Sequence, residues 1–455
     1  MNYYHRMFLA YAAIAALSSP PNSCHGYQYA PTVKPLFQSI PFIPLWNAPT
    51  ELCAKRNVRI NLKPFPIISS TLREHRGQNI TLFYNDRFGF YPYIDENTER
   101  LYNGGLPQLA NVTKHLNQAE KDLLYFLPFT ENSGLAVIDW ENWRPHWMRN
   151  WGTKQIYRAL SIKIVQEKAT HLSRNEVTNC AKQEFETAAK EFMKASLQLG
   201  KTVRPKQLWG YYLFPDCYNY DYKVDFIKYN GSCPSIEVQR NNEHMWLWNE
   251  STALFPSIYL ESALASSVKG TLFARNRVYE AKRVAALPRQ AYTTPVYVYV
   301  RLVFSDNTAS FLSKQDLVNT IGESAALGAA GIIVWEGTAI TQTQASCHSL
   351  NSFVNNVLNP YIINVTTAAK ICSSVLCQEK GRCIRKNWNS TTYLHLNPLY
   401  FNIESVAQRY RVHGTVTPMD HNLMAKWFTC QCYEGMNCLT NAMYPSDNIT
   451  VTMYI

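Results

Sequence analysis

The chain has 455 residues and a formal net charge of +11; 46% of its residues are hydrophobic and 17% are charged. This balance excludes a largely disordered or fibrous protein, and the length allows one large domain and a smaller one. The positive charge favours an anionic partner, which would be a polyanionic sugar, nucleic acid or a membrane surface.

The first residues have the pattern of a secretory signal. Residues 7–17 form an apolar run after His5 and Arg6, and this run is too short to span a bilayer. We therefore predict a signal peptide over residues 1–24, although no small-x-small pattern marks a cleavage site.

Seven N-x-S/T sequons are spread along the chain, a number that is hard to reconcile with a cytosolic protein. They predict a secreted glycoprotein, which makes nucleic acid an unexpected partner. No second apolar stretch is long enough for a membrane span, and the C-terminal sequence NITVTMYI is too short for a lipid-anchor tail. The predicted glycosylation sites are Asn79, Asn111, Asn230, Asn249, Asn364, Asn389 and Asn448.

Short apolar runs alternate with helical patterns along most of the chain. The runs are continuous rather than alternating in polarity, which is typical of strands covered on both faces. The predicted strands span residues 80–84, 135–139, 208–214, 254–260, 296–304 and 331–335.

The segments between these strands carry helix signals. Residues 185–199 form an apolar stripe at helical spacing, and Gly200 is the predicted terminator of that helix. Ser313 and Asp316 form a capping-box pattern that opens a second helix ending near Gly328.

This alternation of strands and helices predicts a parallel α/β fold, either an open sheet or a closed barrel. Several of the runs end in polar or aromatic residues that suit chemistry or binding, among them Asp139, Tyr212, Tyr259 and Trp335. A barrel gathers the carboxyl ends of all its strands around one mouth, whereas an open sheet binds ligands only at a switch point. No glycine-rich nucleotide motif and no G-x-S-x-G elbow is present.

Residues 135–147, LAVIDWENWRPHW, contain the most informative pattern. Asp139 and Glu141 are two residues apart at the end of a buried strand, so their side chains should point the same way. Two close carboxylates beside tryptophans resist double ionisation, so one should hold a proton near neutrality, as a general acid requires. Two solvated acids at a strand end are the alternative interpretation.

Six of the twelve cysteines lie between residues 372 and 438, after a change of composition near Asn359. Their unequal spacing is unlike that of paired zinc ligands, so we predict disulfides and no metal site. The sequence predicts a disulfide-rich module over residues 359–443 and a loose tail over residues 444–455.

The remaining cysteines are sparse. Cys217 and Cys233 are close enough in sequence to staple one loop, and Cys53 and Cys347 are placed to join the two ends of the large domain. Cys180 is expected to be an unpaired thiol on a buried helix face.

Several long stretches resemble the animal hyaluronidase family of glycoside hydrolases, and most closely its sperm-surface, neutral-active type. The resemblance extends from about residue 40 to about residue 440, with the family's motifs in the same order. The matching stretches are WNAPTELC, AVIDWENWRP, RPKQLWGYYLFPDCYNYDY, WLWNESTALFPSIYL, GESAALGAAGIIVW and NPYIINVT.

The resemblance implies a distorted TIM-like barrel of seven or eight β/α units over residues 36–358, followed by a C-terminal module like epidermal growth factor. It implies hydrolysis of β-1,4 bonds in hyaluronan, and more slowly in chondroitin, without a cofactor. The implied disulfides are Cys53–Cys347, Cys217–Cys233, Cys372–Cys383, Cys377–Cys430 and Cys432–Cys438.

The resemblance also implies a role for each candidate catalytic residue. Glu141 matches the acid/base of a retaining mechanism in which the substrate's own acetamido oxygen is the nucleophile. Asp139 matches the partner that holds the acetamido N–H and stabilises the oxazolinium ion. Tyr212 and Tyr259 match tyrosines that orient the acetamido group, and Trp335 matches the tryptophan beneath its methyl group.

Other residues are weaker candidates for the substrate groove. Five basic residues could bind glucuronate carboxylates or could lie on solvated helix faces, and they are Arg144, Arg275, Arg277, Lys282 and Arg283. The further candidates for the groove are Trp46, Asn47, Tyr91, Tyr93, Tyr299 and Asp306.

One departure from the family pattern concerns Glu336, since a small residue usually follows the tryptophan. A carboxylate there would repel hyaluronan or raise the pKa of Glu141, unless it points away from the mouth. We therefore keep a second hypothesis, a catalytically weak adhesion protein that binds hyaluronan or egg-coat glycans. Under both hypotheses the partners are hyaluronan and related glycosaminoglycans, and the protein is an extracellular monomer of the acrosome or sperm surface.

Overall fold

A computed structural model of the chain describes residues 29–288, 290–406, 409–438 and 448–455. The predicted signal peptide lies outside the described residues. Among those that are described, no helix is long and apolar enough to cross a membrane.

The described strands fall into a parallel set in the first three quarters of the chain and antiparallel pairs elsewhere. They are β1 (Ile43–Asn47), β2 (Ile67–Ser69), β3 (Ile80–Phe83), β4 (Tyr93–Ile94), β5 (Leu101–Tyr102), β6 (Gly134–Ile138), β7 (Gln207–Tyr211), β8 (Tyr297–Val300), β9 (Gly331–Trp335), β10 (Gly381–Arg385), β11 (Phe401–Val406), β12 (Arg409–Val416), β13 (Phe428–Cys432) and β14 (Ile449–Tyr454).

Helices occupy the connections between the parallel strands and continue into the C-terminal part. They are α1 (Glu51–Ala54), α2 (Val112–Phe126), α3 (Gln155–Lys168), α4 (Arg174–Val203), α5 (Ser235–Glu243), α6 (Met245–Glu250), α7 (Val268–Ala285), α8 (Lys314–Leu317), α9 (Glu323–Ala326), α10 (Gln344–Phe353), α11 (Asn359–Cys377) and α12 (Pro418–Trp427).

The parallel strands form a TIM-like barrel. One sheet has the order β2-β1-β9-β8 and the other has the order β3-β6-β7. An irregular segment joins them through the bridges Tyr212–Phe255 and Ser257–Tyr299. On the opposite side β2 and β3 meet where the Ile80 N–H donates to Ser69 Oγ at 3.2 Å. The predicted α/β barrel is thus confirmed, although the segment predicted as a strand over residues 254–260 forms bridges only.

Two apolar layers define the inside and the outside of this barrel. Leu135 and Val137 of β6 pack into a small inner cluster with Tyr297 and Tyr299 of β8. The alternate residues of β6, such as Ile138, join the larger core beneath the helices. Inner and outer positions therefore alternate along each strand, and this alternation determines which residues face the mouth.

Two helix predictions have different outcomes. The capping box of Ser313 and Asp316 is present at the start of α8. The helical path then continues through a π-helical turn and α9 to Gly328, which has φ +77°. Gly200, in contrast, does not end its helix, because α4 runs on to Val203. A Cβ atom at Gly200 would lie 2.8 Å from the Trp209 ring, so this glycine permits close packing instead.

The C-terminal part consists of the two-stranded sheet β10-β13 and the three-stranded sheet β11-β12-β14. Three disulfides fasten it, and they are Cys372–Cys383, Cys377–Cys430 and Cys432–Cys438. The boundary predicted at Asn359 falls inside a continuous helical path, because a π-helical turn joins α10 to α11. The proposed domain limits stay a prediction, but the tail predicted to be loose contains β14, which pairs with β12.

The barrel itself contains two disulfides, Cys53–Cys347 and Cys217–Cys233, and Cys180 is a free, half-buried thiol. Six of the seven predicted glycosylation sites are exposed. The seventh, Asn364, is half-buried, and its Oδ1 accepts a hydrogen bond from the Leu396 N–H at 3.2 Å.

The Cys53–Cys347 disulfide spans a sequence separation of 294 residues and joins the helices after the first and last barrel strands. We expect Cys53→Ala/Cys347→Ala to lower the free energy of unfolding by about 3–5 kcal/mol, because a long loop is released in the unfolded chain. Urea unfolding followed by tryptophan fluorescence measures the loss. As a control, Cys217→Ala/Cys233→Ala opens a separation of only 16 residues and should cost less; an equal or larger cost contradicts the prediction.

Candidate active site

The carboxyl ends of the barrel strands present polar and aromatic side chains at the inner positions. The backbone N–H of Asp139 donates to Phe83 O at 3.0 Å, and that of Tyr212 donates to Ile138 O at 2.9 Å. These bonds continue the parallel pairing of β3, β6 and β7 by one residue past the end of each strand. The side chains that follow the three strands therefore keep the same register. The residues placed around the mouth are Asn47, Tyr84, Asp139, Glu141, Tyr212, Tyr259, Tyr299, Arg301 and Trp335.

Asp139 and Glu141 follow β6 and lie on its inner side, as the alternation predicts. Burial raises the pKa of Asp139 well above its usual range, and the neighbouring Glu141 carboxylate raises it further. Its Oδ1 is buried and has no hydrogen-bond partner among the described residues. Burial and the Glu141 charge therefore favour the protonated form of Asp139 in the free protein.

Glu141 is in a more open position than its partner. Its side chain is 53% exposed, whereas the side chain of Arg144 beside it is 9% exposed. Arg144 Nη1 donates to the Glu141 carbonyl at 2.7 Å, and Nη2 lies 3.6 Å from Glu141 Oε2. Glu141 is thus held at the mouth where a bound substrate can reach its carboxyl group.

Tyr212 and Tyr259 lie together near the acids, with their ring centroids 6.3 Å apart. Burial raises the pKa of Tyr212, and the negative charges of Glu141 and Asp139 raise it further. Burial likewise raises the pKa of Tyr259. Both phenols therefore remain protonated and can donate hydrogen bonds to a ligand oxygen.

Trp335 forms the aromatic floor beside these tyrosines. Its ring stacks on that of Tyr259 with a centroid distance of 6.0 Å and an interplanar angle of 17°. Its Nε1–H donates to the Tyr84 hydroxyl at 3.2 Å. Burial, followed by the charge of Asp139, raises the pKa of Tyr84 to about 12. Tyr84 is a site residue that was not predicted from the sequence, although it ends a predicted strand as the other candidates do.

Two of the further groove candidates, Tyr91 and Asp306, are buried in the core or held by another residue. Tyr91 is buried and stacks on Trp140 at 4.7 Å and on Trp143 at 5.4 Å, so it belongs to the core under the helices. Its assignment to the groove is therefore wrong. Asp306 is exposed, but its carboxylate accepts two hydrogen bonds from Ser262, at 2.8 and 2.6 Å.

Asn47 and Tyr299 lie deeper in the mouth than a groove residue would. Both are buried, at 0% and 1% exposure. The Asn47 carboxamide faces the Tyr299 hydroxyl, and neither group reaches standard hydrogen-bond geometry with a described residue. Tyr299 also lies near Asp139 and contacts the Tyr212 ring, with a centroid distance of 5.0 Å.

The basic residues expected in a groove are mostly internal. Arg275 pairs with Glu323 at 2.6 Å, and Arg277 pairs with Asp216 at 3.2 Å; all four side chains are nearly inaccessible to solvent. Lys282 donates to Gly328 and Gln431, and Arg283 pairs with Glu280. Arg144 lies beside Glu141. Of the five, only Arg144 contacts the acid pair; the other four are held by contacts elsewhere, so the groove alternative finds no support for them.

Glu336 does not project into the mouth. It follows Trp335, so the alternation turns it to the opposite side, where it is 0% exposed. Its carboxylate forms an ion pair with Arg301 at 2.8 Å. Of the alternatives that the sequence left open, the structure shows the one in which Glu336 points away from the mouth, so this acid is not placed to repel an anionic polymer. Arg301, which was not among the predicted site residues, is instead the basic residue at the rim.

Comparison with known proteins identifies relatives of this fold and site. The sequence matches the hyaluronidase family over residues 31–442. It is 48% identical to hyaluronidase PH-20 of Macaca fascicularis over 410 residues, or 90% of this chain and 80% of that protein. It is also 48% identical to hyaluronidase-4 of Homo sapiens over 407 residues, or 89% of this chain and 84% of that protein.

A solved structure gives the same result for the fold. Bee venom hyaluronidase in complex with a hyaluronic acid tetramer superposes on the chain with a TM-score of 0.63 and 32% sequence identity. The superposition covers 70% of this chain and 98% of the bee venom protein.

Proposed function

The chain belongs to the hyaluronidase family of glycoside hydrolases, and we propose that it hydrolyses the β-1,4 bonds of hyaluronan and, more slowly, those of chondroitin. The observation that carries this proposal is the pairing of Asp139 and Glu141 at the barrel mouth, where burial and the Glu141 charge raise the pKa of Asp139. A carboxyl group with a raised pKa can supply the proton that a glycosidase needs to release its leaving group.

In the first step the acetamido oxygen of the substrate attacks the anomeric carbon while the glycosidic C–O bond breaks. Glu141, which is open to the mouth, delivers the proton of the acid pair to the departing oxygen. The product is an oxazolinium ion on the sugar. As the pair loses its proton, Asp139 becomes an anion beside the acetamido N–H and stabilises the new positive charge.

In the second step a water molecule attacks the anomeric carbon and its proton passes to Glu141. The bond to the acetamido oxygen breaks, and the acetamide forms again. Two displacements at one carbon leave its configuration unchanged. Tyr212 and Tyr259 donate hydrogen bonds that orient the acetamido group, and Trp335 lies beneath its methyl group.

We also propose that the protein enters the secretory pathway and acts as a glycosylated monomer of the acrosome or the sperm surface. Its exposed sequons and its five disulfides support an oxidising compartment.

The test is analysis of hyaluronan after incubation with the purified, secreted protein between about pH 4 and 7.5, a range that spans the pKa shift of a buried carboxyl. We expect even-numbered oligosaccharides with N-acetylglucosamine at the reducing end. Proton NMR should show the β-anomer as the first product. A parallel digest of chondroitin should proceed more slowly.

Glu141→Gln is the control for contaminating enzymes and should leave the polymer intact. A folded wild-type protein that leaves hyaluronan intact at every pH would contradict the proposal and favour the adhesion alternative. First formation of the α-anomer would instead contradict the retaining mechanism.

A further inference from the structure

Glu336 is a buried carboxylate whose oxygens are both occupied. Oε1 accepts hydrogen bonds from the backbone N–H groups of Leu302 and Val303, at 2.6 and 3.3 Å. Oε2 accepts from Nη2 and Nε of Arg301, at 2.8 and 3.2 Å. A carboxylate held by four donors fixes the position of both the loop after β8 and the arginine.

The contact with Glu336 uses the edge of the Arg301 guanidinium that carries Nε and Nη2. The edge that carries Nη1 is left free to bind a ligand. Only Nε and Nη2 contact Glu336, and Nη1 has no hydrogen bond to any part of the chain that the structure describes. The guanidinium carbon lies 5.5 Å from the centroid of Trp335 and 5.9 Å from that of Tyr259. The guanidinium group is therefore next to the aromatic floor of the mouth.

The position of Arg301 follows from strand register. Val300 of β8 is paired with Val334 of β9, so Arg301 and Trp335 lie side by side, one residue further along, on the inner side. Glu336 is one residue beyond and turns outward. The sequence thus places a cation at the mouth and its anchoring anion behind it.

We infer that Arg301 binds the carboxylate of the uronic acid next to the N-acetylhexosamine held over Trp335, and that Glu336 is the positioning residue that orients it. This inference rests on the proposed function, since it names how that site recognises its polymer. An arginine edge with two N–H groups matches a carboxylate, whereas it has no such match on a neutral sugar. The cation also offsets the repulsion between an anionic polymer and the Asp139–Glu141 pair.

The test compares hyaluronan with carboxyl-reduced hyaluronan, in which each uronate is converted to a neutral glucose. Arg301→Gln should raise KM for hyaluronan about tenfold, the effect of losing one charge-assisted hydrogen bond, with little change in kcat. It should leave KM for the reduced polymer unchanged. A purely structural role would affect both polymers equally.

Glu336→Gln tests the positioning role. It should raise KM for hyaluronan about threefold, because Arg301 loses its charged anchor, and the double variant should be no worse than Arg301→Gln alone. Arg411→Gln is the matched control, because Arg411 forms an Arg–Glu pair with Glu404 on the exposed β11-β12 surface. It should not change KM for either polymer. Thermal melting checks that each variant is folded.

A binding measurement separates this inference from the proposed hydrolysis. Calorimetry with a hyaluronan octasaccharide in the Glu141→Gln background should show about tenfold weaker binding when Arg301→Gln is added, and no change for the reduced octasaccharide. Wild-type protein that binds but does not hydrolyse would contradict only the proposed hydrolysis. Equal losses on both ligands, or no loss on either, would overturn the role of Arg301.

Discussion

Glu141→Gln is expected to lower kcat on hyaluronan by about 10³-fold, the usual contribution of a positioned general acid, while KM changes little. The amide keeps the size of the side chain and can still accept a contact from Arg144, so the mouth should keep its shape. It carries no acidic proton, however, so the leaving oxygen departs as a costly anion. Steady-state rates of reducing-end release measure the effect.

The control for this variant is Glu243→Gln, since Glu243 is an exposed acid that pairs with His146 away from the mouth. It should retain wild-type rates. A Glu141→Gln protein with more than about a tenth of wild-type kcat would contradict the role of Glu141, because general acid catalysis is worth at least 10².

Asp139→Asn should lower activity and raise stability. We expect kcat on hyaluronan to fall by about 10²–10³-fold, because no anion forms beside the oxazolinium ion. Stability should change in the opposite direction, because the raised pKa of Asp139 shows that the fold disfavours its ionised form.

The sign of the pH dependence follows from proton binding. Above the pKa of a free aspartate the unfolded chain loses this proton, whereas the folded protein keeps it, because burial raises the pKa of Asp139. The folded state therefore binds more protons, and the contribution of Asp139 to stability decreases as pH rises. Melting temperatures of wild type and Asp139→Asn should thus differ little near pH 4, with the variant more stable at pH 7. A variant that is less stable at pH 7 would contradict the burial argument.

Much of the site could be predicted from sequence because strand alternation is a strict rule. Once residues 135–139 are identified as a strand, Asp139 and Glu141 must share a side, and the structure places them so. The same rule places Glu336 on the side of the strand opposite to Trp335. Glu336 therefore points away from the mouth, which is one of the two orientations that the sequence left open. Tyr84 could have been found in the same way, as the last residue of a predicted strand.

Other features depend on contacts that no local pattern reveals. Tyr91 and Arg275 have side chains of types that suit sugar binding. Tyr91, however, stacks on Trp140 and Trp143, and Arg275 is paired with Glu323. The strands β1 and β2 were missed because prolines interrupt their apolar runs: Pro44 lies within β1, and Pro66 directly precedes β2. Their strand identity comes from pairing with β9 and with each other.

The unbroken helical path from α10 to α11 has a practical consequence for shortened forms of the enzyme. Tyr361, Ile362, Ile363 and Val365 of α11 are buried, just past the predicted boundary. A catalytic fragment that stops at residue 358 would expose the apolar residues that α11 covers and would lose the helix on which Cys372 and Cys377 lie. No flexible linker separates the two parts at this point, so a protease would have to cut within a helix to release the barrel. Catalytic fragments of this chain should therefore retain the C-terminal part.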